Sequence, residues 1–182
     1  MNKMNYLGIL GFTVLYAVTA FAVAFLGFLS PYAWVFFPVI AALLGAFSYY
    51  WAAKRWQKFG VATLCSFVLA AFLLAVGEFE VMEFLLMLAV GIASDVVRQL
   101  VGNEKQESIY AAYPLLPIGL IAWTLPLWTR TQWYYNGAAE ELGVEYAKGL
   151  MMFSSVWGLL LVVSTTAISG FVGIQFVAKV QR

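Results

Sequence analysis

Met4–Ala53 reads MNYLGILGFTVLYAVTAFAVAFLGFLSPYAWVFFPVIAALLGAFSYYWAA, fifty consecutive residues without Asp, Glu, Lys, Arg or His. A bilayer core of about 30 Å is crossed by roughly 20 helical residues, so this run exceeds twice one crossing. The chain must enter the membrane and return, turning near Ser30 and Pro31. It opens as a membrane hairpin.

The remainder has the same character. Of 182 residues, 64% are hydrophobic and 10% charged, against roughly 25% charged in soluble domains. Such a chain cannot cover its surface in water, and lipid is its expected solvent. Its length suits a single domain, residues 1–182. The net charge of +1 carries no basic tract for nucleic acid. Cys65, the only cysteine, reads as small packing material. Lys3 precedes an apolar run far longer than the roughly 7–15 residues of a signal-peptide core, so this segment is expected to stay as the first span.

Histidine is absent. Intramembrane zinc proteases, haem-ligating bundles and most transition-metal sites need imidazole ligands. A Ser-His nucleophile pair is excluded on the same ground. No enzyme activity, metal or cofactor is expected. Glu140-Glu141 suggests membrane proteases of the Glu-Glu-x-x-x-Arg type, but Glu145 stands where the Arg is required.

Charges punctuate the chain into six expected spans: Tyr6–Leu29, Trp34–Ala53, Phe59–Gly77, Met82–Val101, Ser108–Thr129 and Tyr146–Val177. Lys54, Arg55 and Lys58 follow the second, and a wet segment from Arg130 to Gly143 separates the last two. Six crossings put both termini on one side. Lys3, Lys54, Arg55, Lys58, Arg98, Lys105, Lys179 and Arg182 fall on that side; only Arg130 and Lys148 fall opposite. Eight basic residues against two give cytoplasmic termini by the positive-inside rule. The expected fold is thus an all-α six-transmembrane-helix bundle in the cell membrane.

Aromatic and polar residues gather at the outer face. Trp128, Arg130, Gln132, Trp133, Tyr134, Tyr135, Asn136, Glu140 and Glu141 lie in or beside the wet segment, with Trp123 preceding it. Tyr32 and Trp34 sit at the first outer turn, and Glu83 near the outer end of span four. Aromatic faces stack on flat rings while Asn and Glu give directional hydrogen bonds, so these residues suit a pocket for a small polar solute. An interfacial aromatic belt has the same composition, and both readings stand. Thr13, Ala17, Ala20 and Ala24 form a small-residue stripe on span one. It serves either packing within the chain or docking of a separate membrane subunit. Asp95 and Arg98, spaced i, i+3, read as a structural pair near the cytoplasmic end.

The run Glu140–Ala147 behind Arg130 and Trp133-Tyr134-Tyr135, the opening Gly11–Tyr16, and the closing Gly170–Gly173 with Lys179 resemble the Trep_Strep (MptS-like) membrane proteins. That resemblance implies an S component of an energy-coupling-factor (ECF) transporter. Such a component captures a vitamin-like solute at the outer face and associates with a transmembrane coupling subunit and two cytoplasmic ATPases. It also implies docking through small residues of the first helix, onto which Thr13, Ala17, Ala20 and Ala24 map, with Thr13 departing from Ala. Nickel- and cobalt-type S components use an N-terminal histidine that this chain lacks, which argues against a metal substrate. The chain has no Gly-x-x-x-x-Gly-Lys-Ser/Thr loop, so ATP hydrolysis must belong to a partner. Two other classes remain in view: a membrane scaffold that binds no solute, and a proton-coupled secondary transporter using Asp95 or Glu83.

Overall fold

The computed structural model describes residues 3–181, and side-chain surroundings from Tyr6 onward. Lys3 as a charge marker and Arg182 therefore lie outside the described side chains. All regular structure among the described residues is helical. Helix α1 covers Lys3–Ala24 and runs into a 3-10 turn, Phe25–Leu29; α2 follows at Pro31–Arg55. The hairpin turn falls where Ser30 accepts the Tyr32 N–H at 3.2 Å and Pro31 occupies the first helical turn. Proline suits that position because its missing N–H has no intrahelical partner there anyway.

Helix α3 is Val61–Ala75 and α4 is Val81–Val101. At about 1.5 Å per residue, α3 is shorter than a full hydrocarbon crossing. The span expected at Ser108–Thr129 is not one helix. It divides into α5 (Gln106–Ala112), a 3-10 segment (Tyr113–Leu120), α6 (Ile121–Thr124) and α7 (Pro126–Thr129). Pro114, Pro117 and Pro126 explain the division, since each removes an N–H and crowds the carbonyl of the preceding turn. The stretch expected to be wet forms a helix, α8, Thr131–Leu142. The expected sixth span also divides, into α9 (Val144–Met151) and α10 (Val156–Val180). Ser155 caps α10 by accepting the Gly158 N–H at 3.2 Å. Helices α1 with its 3-10 extension, α2, α4 and α10 are long and apolar enough to cross a membrane.

Helix α2 is the centre of the bundle, packed by α1 and α10. Its buried face is mostly small: Ala41, Ala42, Gly45, Ala46, Ala52 and Ala53. In lipid, helices gain little from hiding apolar surface, so close backbone approach and dispersion hold them together. The α3–α4 contact shows how close: a Cβ on Gly91 would lie 2.4 Å from Ser66 Oγ and 3.0 Å from the Ala62 carbonyl. The stripe on α1 is used the same way. Thr13, Ala17, Ala20 and Ala24 are buried at 0–8% exposure, with Ala17, Ala20 and Ala24 packed among Phe37 and Ala41 of α2 and Leu69, Ala70 and Leu73 of α3. Of the two roles open to the stripe, packing within the chain is the one these contacts show. Val14, Val18 and Ala22, on the neighbouring face of α1, are exposed.

Asp95 and Arg98 are fully buried at the basic end of the bundle, but no ion pair joins them among the described residues. Asp95 instead caps α3, accepting the Ala62 N–H at 3.1 Å and the Thr63 N–H and Oγ1–H at 2.8 and 2.7 Å. Arg98 donates to the carbonyls of Ala53, Asn103 and Lys58 at 2.7, 3.1 and 3.3 Å. Each reaches for unsatisfied backbone at helix ends and turns, where its charge opposes the local dipole. Together they tie the α2–α3 connection to α4.

Candidate functional site

At the opposite, acid-rich end lies a cavity of about 480 Å³. Its wall comes from the turn after α1 (Gly27), α2 (Trp34), the α3–α4 connection (Glu78, Phe79, Glu80), α4 (Glu83), α6 (Trp123), α8 and α9 (Tyr146, Leu150). Its volume falls within the roughly 300–1,000 Å³ of small-molecule sites.

The inner wall is aromatic. Trp34 stacks on Phe37 at 5.4 Å and meets Trp123 edge-on at 5.6 Å. Trp123 in turn stacks on Phe21 at 6.1 Å. A Cβ on Gly27 would come within 2.5 Å of the Trp34 ring, so glycine lets that indole lie against the turn. The Trp34 indole N–H donates to the Tyr134 phenol oxygen, which ties α2 to α8. Tyr146 donates to the Gly27 carbonyl at 2.6 Å. Burial pushes the Tyr146 phenol up to about 12. Burial also raises Tyr134, with the charges of nearby Glu78 and Glu141 adding to it.

The rim is charged. Glu80 starts α4, and its N–H donates to Glu83 Oε2 at 3.2 Å in a reciprocal capping box. Arg130 crosses from the start of α8, placing one terminal nitrogen 2.6 Å from Glu80 and the other 3.0 Å from Glu83. Its guanidinium lies 4.9 Å over the Trp133 ring. The hydrogen bond to Glu80, then the charges of both carboxylates, raise the Arg130 pKa. Trp123 donates its indole N–H to Glu78 at 3.2 Å.

Helical phase on α8 sorts the expected site residues. Trp133, Tyr134 and Glu141 line the cavity together with Gly137 and Ala138. Gln132, Asn136 and Glu140, each four residues apart, lie on the other face and are exposed. Asn136 accepts from Gln132 at 3.0 Å rather than facing the hollow. Trp34, Trp123 and Glu83 are in the wall. Tyr32 points towards Met152 and Phe153, and Trp128 donates to the Phe153 carbonyl at 2.7 Å; both brace the α9–α10 corner. Arg130 of the wet segment is in the wall as well, and so are Glu78, Phe79, Glu80 and Tyr146, which composition alone does not single out as binding residues. Glu80-x-x-Glu83 is the signal that could have found Glu80, since a capping box fixes both carboxylates at one helix start.

A family model described as "Hypothetical bacterial integral membrane protein (Trep_Strep)" matches residues 6–182. The chain belongs to the Trep_Strep family. Membership and the long apolar helices together make it a multi-pass integral membrane protein. No curated protein and no solved structure matches this Trep_Strep chain.

Proposed function

We propose that this Trep_Strep chain is the substrate-binding S component of an ECF-type importer. It captures a small vitamin-like solute at the outer face and delivers it with a transmembrane coupling subunit and two ATPases. One observation carries the reading: a cavity of about 480 Å³, walled by Trp34, Trp123, Trp133 and Tyr134, at one end of a membrane bundle. An aromatic belt would turn those rings to lipid, whereas three of the four here bond or stack inward. In this reading the bundle makes six passes, with α3 as a short third and α5–α7 as a broken fifth. The distribution of basic residues supports cytoplasmic termini, which puts the cavity outside. Coupling-subunit docking belongs to α1, where a shallow apolar groove runs past Val14, Val18, Phe21 and Ala22 over the floor formed by Ala17. Asp95 has both oxygens engaged at the α3 N-terminus, which gives little support to a proton relay.

The test is solute uptake into proteoliposomes, using whatever small molecule mass spectrometry finds on the purified protein. Uptake is expected only when coupling subunit, ATPases and ATP are all present. Accumulation driven by an ion gradient, with this chain alone, overturns the proposal. Protein that is folded yet carries and binds nothing favours the scaffold alternative instead.

A further inference from the structure

The cavity has a charge as well as a shape, and that charge bears on the class of solute it takes, an inference that rests on the capture reading. Glu78, Glu80, Glu83 and Glu141 border the space, and Arg130 is the one cation among its lining residues. Four acids and one base leave a formal charge of −3 on the wall. Arg130 is already engaged, with its two terminal nitrogens on Glu80 and Glu83. Glu78 receives the neutral indole N–H of Trp123. Among the described residues, Glu141 takes part in none of the ion pairs at this rim.

Aromatic walls of low dielectric focus such a field instead of dispersing it. Tyr134 registers the result. Burial raises its phenol above the ordinary tyrosine range against the opposing Trp34 hydrogen bond, and the charges of Tyr146, Glu78 and Glu141 add to the rise. Carboxylates from the α3–α4 connection and from the end of α8 therefore act on the same spot. An anionic solute would meet uncompensated negative charge and a guanidinium with both ends taken. A neutral solute would strip water from Glu78 and Glu141 and return at most a hydrogen bond without compensating charge, which is costly for a carboxylate.

The geometry points to a flat organic cation as the occupant, its charge between Glu78 and Glu141 and its ring against Trp34 and Trp123. The indole faces would add attraction for the cationic group itself, since the ring quadrupole is negative there.

Three single-ring probes of similar size and different charge separate the possibilities: benzamidine, benzoate and benzyl alcohol, titrated into the purified full chain by tryptophan fluorescence. Benzamidine is expected to bind at least about ten-fold more tightly than either other probe. The double variant Glu78→Gln with Glu141→Gln, altering two exposed side chains, should bring the three within about three-fold of each other. Benzoate or benzyl alcohol equalling benzamidine overturns the cation assignment and leaves the capture reading standing. No response to any of the three, from protein with an unchanged melting curve, overturns capture and the cation class with it. Benzamidine preference that survives the double variant places the cation elsewhere and overturns the roles of Glu78 and Glu141.

Discussion

Arg98 has no exposed surface and donates to three backbone carbonyls from three parts of the chain. A charged donor contributes about 1.5–3 kcal/mol per hydrogen bond, and a buried acceptor left unpaired costs about as much again. Arg98→Met should therefore lower stability by about 3 kcal/mol or more, read as a falling melting temperature in detergent. Arg98→Lys should rescue little, because one ammonium cannot spread over carbonyls that the planar fork reaches together. A melting temperature unchanged in Arg98→Met would show the clamp to be idle. The i, i+3 spacing of Asp95 and Arg98 marks both residues as important, yet suggests the wrong partner for each. Apart from the Thr63 hydroxyl on Asp95, their partners are backbone groups, and backbone groups leave no trace in residue identity. Tyr146 gives a pH prediction of its own. Its phenol sits at about 12 against a usual 10, so the folded state holds that proton when the unfolded chain releases it. Stability is indifferent to this group below pH 10 and falls as pH rises from 10 towards 12. Tyr146→Phe should flatten part of that alkaline decline in melting temperature; an identical decline in both proteins would sink the assignment.

Helix α8 has no fully buried residue, so its position depends on a few specific ties. Arg130 to Glu80 and Glu83, and Trp34 to Tyr134, are those ties. Arg130→Ala should speed amide hydrogen exchange across residues 131–142 by about ten-fold or more while α2 and α10 keep their protection. Uniform exchange throughout the protein, or no change in α8, would deny the latch. The phase of α8 yields a sharper contrast between neighbours. Glu141 lines the hollow and Glu140 does not, so Glu141→Gln should weaken solute binding several-fold and Glu140→Gln less than two-fold. Equal effects would mean that general acidity, not position, governs binding. Here the limits of sequence reading have a definite physical cause. The long crossings are legible because fifty uncharged residues allow few alternatives in water. The aromatic composition of the outer face is legible too. The inward side of α8 is not, since residues 130–143 lack the apolar periodicity that would mark a helix, and without a helix no phase exists to separate Glu140 from Glu141. The prolines of residues 114–126 are visible, but the division into short helices depends on how neighbours re-satisfy the freed carbonyls.

At the scale of the whole molecule, two unlike ends are joined by an apolar middle. One end is closed by the Asp95 and Arg98 ties on backbone, and the other holds an acid-rimmed hollow. A capture protein needs this asymmetry, because a site open at both ends would leak and a site closed at both would never load. Which end faces the cytosol decides whether the hollow can take solute from outside. Basic residues favour the clamped end as cytoplasmic, and the protein offers a clean way to check. Cys65 is its only cysteine and is fully buried, so the wild-type chain in intact cells should resist maleimide labelling. Gln57, in the α2–α3 connection, and Gln132, on the outer face of α8, are both exposed. A single cysteine at Gln132→Cys should react with a membrane-impermeant maleimide from outside. Gln57→Cys should react only with a permeant reagent or after the cells are opened. The reverse pattern would put the hollow in the cytosol, where capture from the medium is impossible, and would leave the charge of the cavity as a property in need of another purpose.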